Sequence, residues 1–423
     1  MGNRPLLFVF SREYPPHSVG GTSTVARSLS TGMTAEGWQV AVVTTNPQQA
    51  RDEREQAGGV TVHRTGTGVV YNSDSGLADD TIAAHRRPHR AAVALARDLG
   101  RPAVITLPDL FCFPEAVLFA RAQGTPLVNI LLQDFQTLTR HDHDRHRVTN
   151  GVAADPAHLF ALEEKALNGS DHISFISHAL SDAITGYYPS LRTSHGVIHL
   201  GVDEAEIASA RAAVAERARL RTILPLAAAE LPLVVACGRL VPVKGFDALL
   251  RALALLGHAG TATHLALLGI GPEQARLRAL AVELGIGGQV SFLGDRPRAE
   301  VMTWMSMATV AVVPSRWESF CYVCAEMMAL GRPVVAAAVD SLNELMPTDE
   351  YGYRVPVTQQ GGRREIAPAA LGQAIGAALA DPGEAARRGA AASQRILTQF
   401  TNASHAAAMS RLCAQLGQVT LHA

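Results

Sequence analysis

Leu233-Val234-Val235-Ala236-Cys237-Gly238-Arg239-Leu240-Val241-Pro242-Val243-Lys244-Gly245 is the stretch that decides the fold. Its first five residues are uniformly apolar, the pattern of a strand covered on both faces rather than one. Glycine closes the strand and a helical stretch follows. A strand that ends in glycine, arginine and lysine ahead of a helix is a seat for a diphosphate. Arginine supplies a planar fork and lysine a compact point charge. Lys244 is also unusual in kind: the chain holds only two lysines, the other being Lys165, among 37 basic residues.

The same alternation of short apolar runs and longer Ala/Leu/Arg stretches extends in both directions, the signature of parallel α/β layers. Towards the N-terminus, strands are predicted at Leu6–Phe10, Gln39–Thr44, Val60–His63, Ala103–Leu107, Leu127–Leu132, Ile173–Ile176 and Val197–His199. Helices are predicted between them, among others at Thr22–Glu36 and Pro156–Leu167. Towards the C-terminus, strands follow at His264–Leu268, Val290–Leu293, Val310–Val313 and Val334–Ala337. At 423 residues the chain exceeds what one core usually covers. The junction is placed near 200–230, giving two Rossmann-like domains that face a cleft, with Thr401–Leu416 as a last amphipathic helix. In such sheets ligands bind beyond the carboxyl ends of the strands.

Composition excludes several classes. A net charge of −1 offers no surface for a polyanion, so nucleic acid is not an expected partner. No apolar run approaches the ~20 residues of a membrane span. Met1 to Pro5 runs straight into a strand, too soon for a signal peptide, and a cytoplasmic protein is expected. The five cysteines are an odd number at scattered positions, which argues against a disulfide framework. Cys321 and Cys324 have the spacing of a redox or zinc pair, but no second pair exists, and both are read as small core residues. His141-Asp142-His143-Asp144-Arg145-His146 invites a metal reading. Its i, i+2 spacing does not favour one helix face, and a solvated loop is the expectation. Arg86-Arg87-Pro88-His89-Arg90 is read as a solvated basic stretch, because Pro88 interrupts its helix and the apolar face is alanine-rich.

Further motifs fall at strand ends. Gly20-Gly21-Thr22 opens a helix beyond the first strand, where backbone N–H groups and the helix N-terminus favour an anion. Gly269-Ile270-Gly271-Pro272 follows the next strand after Leu233–Cys237, with Pro272 read as a first helical residue. Val290-Ser291-Phe292-Leu293-Gly294 ends in glycine, where backbone groups can read a base edge. Pro314-Ser315-Arg316-Trp317-Glu318-Ser319-Phe320 follows Val310–Val313, and Glu326 stands eight residues beyond Glu318. That spacing alone carries nothing; its setting does. Glu318 lies in a loop after a strand and Glu326 lies two turns into the predicted helix Tyr322–Leu330, placed to accept hydrogen bonds from both hydroxyls of a ribose.

Taken in order, these motifs resemble a large family of retaining glycosyltransferases typified by sucrose, glycogen and mycothiol-pathway synthases. Gly-Arg-Leu-x3-Lys-Gly, Gly-x-Gly-Pro, Val-x-Phe-Leu-Gly, Pro-Ser-x3-Ser-Phe, Glu-x7-Glu and Gly-x-Pro-Val-Val-Ala recur over some 120 residues. The N-terminal half matches at Glu13-x-Pro15-Pro16, Gly20-Gly21, Ser177 and Gly201-Val202-Asp203. The resemblance implies a GT-B fold: an acceptor-binding domain over 1–203, a nucleotide-sugar-binding domain over 204–400, and a helix over 401–423 that returns to the first domain. It implies a nucleotide-sugar co-substrate, UDP-linked by preference, with anomeric configuration retained and no metal or other cofactor. Arg239 and Lys244 would hold the diphosphate and Glu326 the ribose. Glu318 and the Ser319-Phe320-Cys321-Tyr322 backbone would contact the sugar, while Gly20, Gly21, Gly238, Gly269, Gly271 and Gly294 would line the nucleotide.

The chain departs from the family at four places. Cys321 stands where glycine is usual, and Gln133, followed by Asp134, stands where a histidine contacts the donor sugar. Gln133 retains the ability to hydrogen-bond a hydroxyl, and Asp134 is placed to stabilise developing positive charge. Asp340-Ser341-Leu342-Asn343-Glu344 replaces a glycine-rich loop, and Leu200 replaces asparagine. The expected acceptor is a small soluble hydroxyl compound such as a cyclitol, aminocyclitol or specialised metabolite. Three alternatives stay open: a lipid or glycan acceptor, a nucleotide-sugar epimerase, and a non-catalytic sugar-nucleotide-binding partner of another transferase. A pyridoxal-phosphate phosphorylase is disfavoured, since Lys165 is the only other lysine.

Overall fold

The structure, a computed structural model, describes residues 4–16, 21–46, 51–66, 80–141, 156–228, 230–360 and 363–421. The chain divides into two compact units, Met1–Leu200 with Asn402–Ala423, and Gly201–Thr401.

The first unit is built on one sheet of eight strands: β1 (Leu6–Phe10), β2 (Gln39–Asn46), β3 (Glu53–Ala57), β4 (Val60–Gly66), β5 (Val104–Leu107), β6 (Leu127–Leu131), β7 (His172–Phe175) and β8 (Ser194–Val197). Their order is β3-β4-β2-β1-β5-β6-β7-β8. All pairings are parallel except that of β3 with β4. Helices cover both faces, so the central strand β1 is apolar and buried at every position, Leu6–Phe10. On one face Phe119 meets Phe8 and Phe10 at ring-centroid distances of 5.3 and 5.9 Å. Each such ring contributes roughly 2–3 kcal/mol of burial.

The C-terminal helix Asn402–Gly417 packs on the helix Gly21–Ala35. Gly32 permits the approach, since a Cβ there would lie 2.6 Å from the Ala406 Cβ. Trp38 Nε1 donates to Ser410 Oγ at 2.9 Å, and the buried His405 donates Nδ1–H to the His199 carbonyl at 2.9 Å. Burial holds the His405 imidazole down at about 4, the hydrogen bond to His199 opposing it, so the ring is neutral in the fold.

The second unit has six parallel strands: β9 (Leu233–Cys237), β10 (His264–Leu268), β11 (Val290–Gly294), β12 (Val310–Val313), β13 (Val334–Ala337) and β14 (Tyr353–Val355). Their order is β11-β10-β9-β12-β13-β14. The order reverses between β9 and β12, so the loops after those two strands flank a topological switch point. A separate antiparallel hairpin, β15 (Val357–Gln360) and β16 (Arg363–Ile366), follows β14. Val202 N donates to the Phe400 carbonyl at 2.8 Å, joining the two ends of this unit.

Several elements differ from the sequence expectation. β3 carries Glu-Arg-Glu-Gln-Ala with all five residues exposed; pairing with β4 places it, not burial. β8 begins at Ser194, three residues before the expected strand, because its exposed polar residues pair with His172 to Phe175 without an apolar signal. Pro272 is not a first helical residue. Glu273 N bonds the Leu240 carbonyl at 2.9 Å instead, and the helix starts at Gln274. Asp340–Leu345 forms a short helix where a loop was expected. Gly20, most of the His141–His146 stretch and the side chain of Arg86 lie outside the described residues.

Candidate functional site

Three loops of the second unit meet at the carboxyl ends of β9, β10 and β12, backbone against backbone. After β9, Pro242–Lys244 makes one 3-10 turn that Gly245 ends at φ 67°. A Cβ on Gly245 would lie 1.9 Å from the Pro314 carbonyl oxygen, so only glycine lets this turn touch the loop after β12. A Cβ on Gly269, at φ 121°, would lie 2.0 Å from the Gly238 carbonyl. Gly271 packs against the Leu240 backbone, and the Gly294 carbonyl at the end of β11 accepts from Gly269 N at 2.9 Å.

That packing brings Lys244 and Glu318 together. Lys244 Nζ donates to Glu318 Oε1 at 2.6 Å, and Ser315 Oγ donates to the same oxygen at 2.7 Å. Burial pulls the ammonium down, but the Glu318 carboxylate outweighs it and leaves Lys244 above its ordinary value, so it stays charged. Arg239 is exposed and lies near enough to oppose that charge. Among the described residues no carboxylate pairs with its guanidinium.

The Glu318 loop is held from its far side. Ser341 Oγ donates to the Glu318 carbonyl at 3.1 Å, and Asp340 Oδ2 lies 3.5 Å from Glu318 N. Arg364 of β16 pairs with Asp340. Arg316 N donates to the Val243 carbonyl at 2.7 Å, and its guanidinium spans Asp247 at 2.9 and 3.0 Å. Cys321 and Asp340 flank Glu318, and both take left-handed backbone, at φ 72° and 38°. Such a conformation costs a non-glycine residue about 1–2 kcal/mol and clusters at functional sites. Cys321 and Cys324 are buried free thiols, which burial pushes well up and keeps protonated.

Phe320 is buried, 5.3 Å from the Tyr322 ring, and Ser319 joins it to Glu318. Tyr322 begins the helix Tyr322–Ala329, which carries Glu326 inward at 2% exposure. Glu326 Oε1 accepts from Arg298, which also pairs with Glu206 at 3.0 Å. Glu326 Oε2 is buried without a hydrogen-bond partner among the described residues. Burial raises this carboxyl above its usual range, with Arg298 opposing.

In the first unit, Gln133 is exposed just beyond β6, and Gly21 opens its helix. Asp134 is fully buried, and one of its oxygens caps the helix Phe135–His141 by accepting from Thr137 N. Beside it Glu163 accepts from Phe135 N at 2.8 Å and from Tyr188 Oη at 2.8 Å. Burial pushes Glu163 up to about 7, the two hydrogen bonds opposing and Asp134 adding to the rise. Sequence reasoning missed Arg298, Arg316, Arg364 and Glu163. Arg316 stands in the motif after β12 but was given no role, and each of the four acts on a residue more than twenty positions away.

The charged Lys244, Arg239 without a carboxylate partner among the described residues, and the buried Glu326 thus gather near a topological switch point of an α/β unit. Residues 20–201 match the glycosyl transferase 4-like domain and residues 225–395 match the glycosyl transferases group 1 family. The chain is 28% identical over 406 residues to a glycogen synthase of Mycobacterium tuberculosis, covering 93% of this chain and 91% of that protein. It is 32% identical over 253 residues to D-inositol 3-phosphate glycosyltransferase 1 of Catenulispora acidiphila, 56% of each chain. Sucrose-phosphate synthase from Thermosynechococcus elongatus superposes with a TM-score of 0.76 at 23% identity, covering 98% of this chain and 99% of that one. The fold is GT-B. The chain belongs to this family of glycosyltransferases, which move a sugar from a nucleotide-sugar donor.

Proposed function

We propose that this glycosyltransferase is retaining and metal-independent, and that it moves a sugar from a UDP-sugar to a hydroxyl of a small soluble acceptor. The observation that carries this reading is the Lys244–Glu318 pair at 2.6 Å with Arg239 nearby, paired to no carboxylate among the described residues. Lys244 and Arg239 bind the diphosphate and offset its charge as it leaves, the role a metal ion fills elsewhere. The acceptor oxygen attacks the anomeric carbon from the face that the diphosphate leaves. The carbon–phosphate-oxygen bond breaks, the new glycosidic bond forms, and the acceptor proton passes to the departing phosphate oxygen.

In this reading Glu326 holds the ribose, and Gly238, Gly269, Gly271 and Gly294 line the nucleotide. Glu318 and the Ser319-Phe320-Cys321-Tyr322 backbone contact the donor sugar. The first unit receives the acceptor. Asp134, whose carboxylate caps a helix, supports the loop rather than developing charge. A cyclitol acceptor is favoured by the named relative that acts on D-inositol 3-phosphate.

A thermal-shift panel of UDP-, GDP-, ADP- and dTDP-sugars identifies the base, since a ligand at 100 times its Kd stabilises by about 2.7 kcal/mol. NMR of the product, with and without EDTA, then reads the stereochemistry. The donor's anomeric configuration is expected in the product at an EDTA-insensitive rate. An inverted product, or loss of turnover in EDTA, would overturn the reading.

A further inference from the structure

We propose that Arg298 is a positioning residue for the donor: by bridging Glu206 and Glu326 it holds Glu326 as an ionised carboxylate with one oxygen left for ribose hydroxyls. The protein thereby selects ribonucleoside donors over 2′-deoxyribonucleoside ones. This rests on the reading of the second unit as the donor site.

Three elements converge at this carboxylate. Glu326 comes from the helix Tyr322–Ala329, Glu206 from the helix Glu204–Ala212, and Arg298 is the first residue of the helix Arg298–Met307 just beyond β11. A helix N-terminus disfavours a cation, so Arg298 gains nothing from its own helix. Its guanidinium is spent on the two carboxylates instead. Glu326 has 2% exposure, and a carboxylate so buried discharges by protonation unless a cation holds it. Oε1 takes Arg298, while Oε2 has no partner within the described residues. An ionised oxygen accepts from a hydroxyl about twice as strongly as a neutral one.

The other groups near Glu326 do not substitute for Arg298. Glu206 carries the same sign as Glu326. Burial, with Glu326 adding to it, pushes the Cys237 thiol up to about 12, so it stays neutral. Lys244 is engaged by Glu318.

The test is calorimetric binding of UDP and of 2′-deoxy-UDP between pH 6.5 and 9, read as the ratio of their dissociation constants. The ratio cancels titration of the nucleotide phosphates. GDP or ADP with their deoxy forms replace them if the sugar panel selects another base. Wild type is expected to prefer the ribonucleotide by about tenfold across the range. In Arg298→Met burial acts on Glu326 unopposed, so the preference is expected to vanish near pH 7. It should return as pH rises and Glu326 ionises. Arg298→Lys, which keeps a cation, is expected to retain part of the preference at pH 7.

An Arg298→Met ratio equal to wild type at every pH overturns the proposal. So does tighter UDP binding by that variant, which would make Arg298 a cover over the site. Glu326→Gln and Lys244→Ala separate this failure from failure of the donor-site reading. If both keep wild-type UDP binding and ratio, the donor site itself is misplaced.

Discussion

Glu163 in the first unit and Glu326 in the second are both buried carboxylates on helices, and they are handled in opposite ways. Glu163 meets an amide and a phenol, with no cation paired to it among the described residues, and burial lifts it to about 7. Glu326 meets an arginine that opposes the same burial, though burial still raises its carboxyl above the usual range. Glu163 uses both oxygens to tie Phe135 and Tyr188 together behind the Gln133 turn, a structural task that a neutral acid also performs. Glu326 has one oxygen without a partner among the described residues, which costs stability and suits a ligand. The same contrast separates the backbones: the second unit's loops touch through glycines, whereas Gly37, Gly100 and Gly124 of the first have room around their left-handed turns.

Gly245→Ala against Gly124→Ala is the sharpest way to break that contrast. Both glycines are left-handed, at φ 67° and 59°. At Gly245 the new Cβ meets the Pro314 carbonyl at 1.9 Å, while at Gly124 its nearest neighbour is Arg101 Nη2 at 3.5 Å. Urea unfolding should show a loss above about 3 kcal/mol for the first and about 1 kcal/mol for the second. Equal losses would mean that the loops after β9 and β12 are not packed backbone on backbone.

Next in size is the pH dependence of Glu163. Its folded pKa of about 7 lies above the unfolded value near 4.3, so the fold binds its proton more tightly. The stabilisation is full below pH ~4 and is lost as pH rises through 7, about 3 kcal/mol in all. Wild type should lose that stability between pH 5 and 8 relative to Glu163→Gln, measured by chemical unfolding at each pH. Parallel curves would show that Glu163 is ionised throughout, as Glu326 is proposed to be.

The smallest effect sharpens the comparison. Cys321→Gly removes left-handed strain and should raise stability by about 1 kcal/mol. If Cys321 lines the donor sugar as proposed, the same change should lower selectivity among UDP-hexoses, read as the ratio of kcat/KM values. A destabilised variant would show that the thiol's packing outweighs its backbone strain.

The parallel strands were legible because strands covered on both faces must be continuously apolar, as Leu233–Cys237 and Val310–Val313 are. Lys244 and Glu318 were legible through their place after those strands, although 74 residues separate them. The edge strand Glu53–Ala57 and the hairpin β15–β16 were not, because pairing forms them without a buried face. Arg298 and Arg364 were illegible for a related reason: their carboxylates stand 28 and 24 residues away. Asp134 carried a second readable signal. An aspartate three residues before Thr137 at a helix start is an N-cap, and its carboxylate serves that purpose.

The most direct test of the account is turnover by Lys244→Ala with the donor that the sugar panel identifies. Transfer should fall by at least about a thousandfold while the melting temperature stays within a few degrees, because the lost interaction acts on the departing diphosphate. Undiminished product formation by a folded Lys244→Ala protein would contradict it.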